Sequence, residues 1–142
     1  MIEDASYELQ LAIVPRLKND ADVSAMIAGR IFDFVPRDPV TGHVTAQFPF
    51  VAFGEEQEIP ERYDCIDGSE IFLDLHVWSR DPGFREAKRI ANAIKSSLDG
   101  ADLPLAENAL VYFVYDGRRV IRDPDGLTSH AVLTFRAGVE KP

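Results

Sequence analysis

The sequence predicts an α+β fold: a largely antiparallel β-sheet with a long amphipathic helix packed on one face and additional N-terminal helices. Three observations predict it. Ser69 to Arg80 alternates Ile71, Leu73, Leu75 and Val77 with Phe72, Asp74, His76 and Trp78, the period of a strand with one aliphatic face. Phe84 to Leu98 carries Phe84, Ala87, Ile90, Ala91, Ile94 and Leu98 as one helical stripe, with Arg85, Lys88, Arg89 and Lys95 pointing elsewhere. Leu110 to Ile121 and Thr128 to Val139 read as two strands joined by Arg122-Asp123-Pro124-Asp125-Gly126, with proline and glycine where a hairpin turn needs them.

The elements follow in chain order. Tyr7, Leu11 and Val14, with Leu9, Ile13 and Leu17 close to their face, predict a helix from Asp4 to Lys18. Asp4 or Ser6 serves as its cap, and Pro15 should kink it or end it early. A short helix over Ala21 to Ala28 takes Asp20 or Asp22 as cap and stops at Gly29. Arg30 to Val35 reads as a short strand, and Pro36, Pro39 and Gly42 open a loop reaching about Gln47. Phe48 to Gly54 is a strand with Pro49 at its start, where a missing donor costs least. Glu55 to Gly68 is acidic, contains Pro60 and reads as a long excursion between strands. Asp81-Pro82-Gly83 is a turn with Asp81 as the candidate cap of the long helix, which Gly100 ends. Burying Phe84, Ile90, Ile94 and Leu98 should contribute roughly 1.5–3 kcal/mol apiece before entropy is counted. Leu133, Phe135 and Ala137 supply the inward face of the last strand.

With no repeat and no low-complexity linker, residues 1–142 read as one domain, organised from about Asp4 to Glu140. A hydrophobic share of 46% and a charged share of 27% are those of an ordinary globular chain. No segment approaches the ~20 apolar residues of a bilayer span, so no membrane association is expected. The acidic start MIEDASYELQ predicts no secretory signal. A single cysteine, Cys65, cannot form an internal disulfide and suits a reducing compartment. A formal net charge of -9 disfavours generic nucleic-acid binding.

Candidate chemistry is sparse. His43, His76 and His130 lie in separate elements without metal-ligand spacing, and His76 and His130 read as partly buried histidines with one hydrogen bond each. A calcium loop starting at Asp123 would need ligands at Leu127 and Thr134, which are the wrong residues, whereas a tight turn explains Asp123 to Gly126. No phosphate loop or nucleophile elbow is present, and nothing near Cys65 in sequence would activate its thiol. The expectation is therefore no catalytic residue, no metal and no cofactor. Two surfaces remain. Glu55, Glu56, Glu58, Glu61 and Asp64, continuing to Asp67 and Glu70, concentrate acid around the lone Arg62: either a solvated loop or a deliberately negative surface. Arg118, Arg119 and Arg122 form the one basic cluster: either an edge guarded by charge or a contact for phosphate or for acid on a neighbour.

In order, RIFDFVP (Arg30 to Pro36), FPFVAFGE (Phe48 to Glu55), GSEIFLDLHVWSR (Gly68 to Arg80), REAKRIANAIKSSL (Arg85 to Leu98) and RDPDGLTSHAVLTFRAGVE (Arg122 to Glu140) resemble the tail-completion proteins of phages and gene-transfer agents, also called tail terminators or head–tail joining proteins. The likeness spans nearly the whole chain. It departs at Pro15 and in the longer loop Arg37 to Gln47. The resemblance implies a structural subunit, not an enzyme: a ring, usually a homo-hexamer, capping the head-proximal end of a tail tube. It implies contact with the tail-tube protein on one side and a head-completion or stopper protein on the other, in the tail of a virion or gene-transfer particle assembled in the bacterial cytoplasm. DNA would pass the lumen without specific binding. Within that frame the acidic segment is expected to face the lumen or a partner, and the basic cluster to lie between subunits. The competing reading is a small α+β ligand-binding or enzymatic domain, disfavoured by the lack of convergent polar residues on the predicted core faces.

Overall fold

A computed structural model describes all 142 residues. Helices α1 (Ala5–Lys18) and α2 (Ala21–Ile27) precede strands β1 (Ile31–Phe32), β2 (Phe50–Tyr63) and β3 (Ile66–Ser79). Helix α3 (Arg85–Leu98) and strands β4 (Ala109–Arg122) and β5 (Ser129–Glu140) follow. The five strands form one sheet in the order β1-β2-β3-β5-β4, antiparallel except for the short parallel pair β1 and β2. The expected α+β architecture is thus present.

The core lies between one sheet face and the three helices. Ile71, Leu73, Leu75 and Val77 of β3 and Ala131, Leu133, Phe135 and Ala137 of β5 meet Ala87, Ile90, Ala91, Ile94 and Leu98 of α3. Phe113 of β4 stacks on Phe135, with ring centroids 5.2 Å apart. The alternation of β3 and the stripe of α3 dictate this contact, because each presents one continuous apolar face. Asp99 and Gly100 end α3, and the Gly100 N–H donates to the Phe113 carbonyl. At the β4–β5 turn the Asp125 carboxylate accepts from the N–H groups of Leu127 and Thr128, as turn chemistry anticipates.

Four local expectations need correction. In α1 the buried residues are Glu8, Leu9, Ala12, Ile13 and Leu17, whereas Tyr7 and Leu11 are exposed. The 9-13-17 row wins because Ala12 widens it into a stripe that also meets the other helices. Pro15 does not end α1 early: the helix runs on to Lys18, and Pro15 sits on the exposed side, where the unpaired Leu11 carbonyl can meet water. Asp4 caps α1 and Asp20 caps α2, but Asp81 does not cap α3. Phe84 takes that place without a side-chain bond, and Ser79 reaches Glu86 in the first turn instead. The strand expected over Arg30 to Val35 shrinks to two residues, since Phe34 beyond it is 82% exposed with nothing to pack against.

The largest difference concerns the acidic segment. Glu55 to Tyr63 is not a loop but the outer part of β2, paired in register with β3 from Glu56 opposite Leu73 to Tyr63 opposite Ile66. Asp64 and Cys65 make the hairpin turn. This strand is held mainly by its backbone pairing. Every residue from Glu55 to Tyr63 is exposed, so no alternation marks it. Pro60 is tolerated because β1 covers only Val51 and Ala52, leaving the rest of β2 a sheet edge.

Candidate interaction surfaces

With all three helices on one side, the other face of the sheet carries no helix; Phe50, Ala52 and Val132 are buried on it, and the rest holds a laddered polar network. Its residues come from the second set of alternate positions on β3 and their register partners on β5 and β4. Tyr112 Oη donates to Glu70 at 2.6 Å, and Arg136 also reaches Glu70 at 3.2 Å. Arg136 lies 3.7 Å from Asp116 on its other side. Tyr112 and Arg136 hold the Glu70 carboxyl below its ordinary pKa, while burial, then the hydrogen bond to Glu70, raises that of Tyr112. The Tyr112 ring covers Gly138, where an added Cβ would stand 2.2 Å from the ring. Thr134 donates to Asp74 at 2.6 Å.

Further along the same face His76 Nδ1 and His130 Nε2 are 2.7 Å apart, so one ring donates and the other accepts. Trp78 stacks on His130 with centroids 3.9 Å apart. Gly54 of β2 leaves the room His76 occupies, since a Cβ there would lie 2.3 Å from Nε2. Burial lowers the pKa of His76 against the pull of Asp74 and Glu55. Burial and the neighbouring His76 lower that of His130. Both histidines are partly buried and hydrogen-bonded, as expected, and they share one bond with each other. No three metal-ligating side chains converge anywhere in the chain. Cys65 is exposed at the hairpin turn and His43 is exposed in its own loop.

The two surfaces singled out from sequence sit on opposite edges of the sheet. Glu55, Glu56, Glu58 and Glu61 line the free edge of β2, with Asp64 at its tip. Glu56 accepts from Ser6 Oγ at 2.6 Å, which ties this edge to the start of α1. A depression of about 340 Å³ there is lined by Glu3, Asp4, Glu58, Arg62 and Asp67 among others. Arg118, Arg119 and Arg122 lie on β4, the opposite edge, but are not one patch. Arg118 pairs with Leu133 on the helix side, and its guanidinium lies 3.4 Å from the Lys88 carbonyl of α3. Arg119 pairs with Val132 and belongs to the open face. Arg122 stacks 4.8 Å from the Phe84 ring centroid. Strand alternation separates Arg118 from Arg119, which adjacency in sequence conceals.

A buried charge escaped sequence reasoning. Glu8 is 4% exposed and accepts from the N–H groups of Glu107 and Asn108 and from the Asn108 side chain. Burial alone would raise its pKa, but these donors outweigh it and hold the carboxyl below its ordinary value. It pins α1 to the segment entering β4. The signal was a carboxylate inside the apolar stripe of α1.

Comparison with known proteins adds a family frame. Residues 11–140 match the model of the family described as tail completion protein gp17. The chain is 25% identical over 132 residues to tail completion protein gp17 of Bacillus phage SPP1, covering 93% of this chain and 92% of that one. Among solved structures it is similar to a chain of the virion of a native gene transfer agent particle. The TM-score is 0.83 and the identity 28%, over 95% of this chain and 96% of that chain. The structure of the SPP1 gp17 protein shares the fold at a TM-score of 0.55 and 24% identity, over 94% of this chain and 89% of that one.

Proposed function

We propose that this chain, which belongs to the tail completion protein gp17 family, closes the head-proximal end of a phage-type tail tube as a ring. A structural role in the tail follows from the family. The observation that carries the proposal is the near end-to-end likeness, at a TM-score of 0.83, to a chain of a gene transfer agent virion.

The physical argument starts from size. A compact body of this length has a radius of gyration of ~15 Å and a diameter of roughly 35–40 Å. Six in a closed ring leave an opening comparable to one subunit, wide enough for duplex DNA. Head-to-tail contacts generate such a ring when the rotation closes. Seated on the tube end, it covers the surface on which the next tube ring would grow and offers its other side to a head-completion protein. On this reading the chain acts as one domain without cofactor or turnover, in a virion or gene-transfer particle put together in the bacterial cytoplasm.

The test is a tube-length assay. Tube protein is polymerised with increasing amounts of the chain and imaged by electron microscopy. Mean length should fall with added chain, with extra density at one end. An unchanged length distribution at saturating chain would overturn the capping role.

A further inference from the structure

Resting on that ring reading, we infer that the acidic β2 edge of one copy docks against the basic β4–α3 edge of the next copy. Four observations meet here. First, the two edges are the free margins of one sheet: β2 has no outer partner beyond Ala52, and β4 pairs only with β5. Second, the edges carry opposite charge. The exposed part of β2 holds Glu55, Glu56, Glu58 and Glu61 against Arg62, and the start of α1 beside it adds Glu3 and Asp4. The last part of β4 presents Arg118 and Arg122 towards the helix side, where α3 adds Lys88 and Lys95, and Arg119 towards the open face, so the edge is basic on both of its sides.

Third, most carboxylates beside the basic edge are engaged within the chain, Asp123 next to Arg122 being the one left against five cations. Asp99 accepts from the Tyr115 N–H, Asp116 faces Arg136, and Asp125 is spent on its own turn. The outward balance of that edge is therefore positive. Fourth, the polarity dictates the symmetry. Two β2 edges repel each other, as do two β4 edges, so a two-fold dimer through either edge is opposed and a head-to-tail contact is favoured. Head-to-tail contact is the kind that closes into rings.

The register also sets the geometry. Glu58 lies opposite Ile71, whereas Arg118 lies level with Leu75 through Leu133. Glu58 and Arg118 are thus offset by four residues along the strands, about 13 Å at ~3.3 Å per residue, and Glu61, opposite Gly68, is offset further still from Arg119, level with His76. Copies meeting acid to base must be staggered or tilted by that amount or more. Pro60 and the charges oppose plain strand addition, so the contact runs through side chains.

Two charge-reversed full-length chains test this. One carries Glu58→Lys and Glu61→Lys. The other carries Arg118→Glu and Arg119→Glu. All four positions are exposed, and circular dichroism melts confirm that each variant folds. Native mass over a concentration series, free and with tube protein, reads assembly. Each variant alone should need about tenfold or more protein to associate than the wild type does, and the equimolar mixture should recover assembly with the two chains alternating. Rising salt should weaken wild-type association. Folded single variants that assemble like the wild type would overturn the edge contact while leaving the ring intact. A wild type that stays monomeric both free and on tube ends would overturn the ring reading and this inference with it. Failure of the mixture to recover, with both variants folded, would overturn the pairing of these two edges.

Discussion

The inner and outer halves of β2–β3 are one hairpin held by two different forces. Where β3 runs from Ile71 to Val77 it buries every second side chain against α3, and hydrophobic burial holds the strand in place. From Glu55 to Tyr63 its partner β2 buries nothing, and backbone pairing, helped by the Ser6 bond to Glu56, keeps it extended. The first half can tolerate little change because its neighbours are packed. The second is free to vary its side chains, and charge is what it displays. Stability resides in the helix-covered half, and the proposed contact between copies uses the uncovered edge.

Substitutions should break along that line. Phe135→Ala removes a fully buried ring stacked on Phe113 and should cost about 3–5 kcal/mol in chemical denaturation. Gly138→Ala should cost about 1–3 kcal/mol, because the new methyl collides with a Tyr112 ring held in place by Glu70. Adding Tyr112→Leu to it should recover part of that loss.

Glu8→Gln leaves one of the Glu107 and Asn108 donors without its acceptor and should cost about 1–3 kcal/mol near neutral pH. Because the folded carboxyl has a lowered pKa, its contribution is complete above the ordinary carboxylate value and vanishes as pH falls through the folded one. Wild type and variant should therefore converge in strong acid. The histidine pair acts higher on the scale. Both folded pKa values lie below that of a free histidine, so the unfolded chain binds more protons once the pH drops below about 6.5. Thermal melts should show stability falling from there towards the folded pKa values, and His76→Gln with His130→Gln should flatten that slope. At the small end, Glu58→Gln should leave the unfolding midpoint unchanged while weakening assembly.

The same contrast explains what could be read in advance. The stripe of α3, the alternation of β3 and the Arg122 to Gly126 turn were legible because each encodes its structure within a few residues. The strand from Glu55 to Tyr63 was not, since a segment wet on both faces has no periodicity to betray it. The α1 face was misjudged because Tyr7, Leu11 and Val14 form a competing apolar row, and only packing against α2 and α3 decides between them. The Glu70–Tyr112–Arg136 network and the His76–His130 bond depend on long-range register, which local sequence does not contain. The acidic and basic segments were found, but their placement on opposite edges required the strand order, and with it the split of Arg118 from Arg119.

The central claim is a ring at one tube end, and counting copies there tests it most directly. Chain carrying one fluorophore per molecule is bound to preformed tubes, and bleaching steps are counted at each end. Six steps at a single end, with none along the shaft, is the predicted result. Label scattered along the tube, or single copies at both ends, would contradict the account.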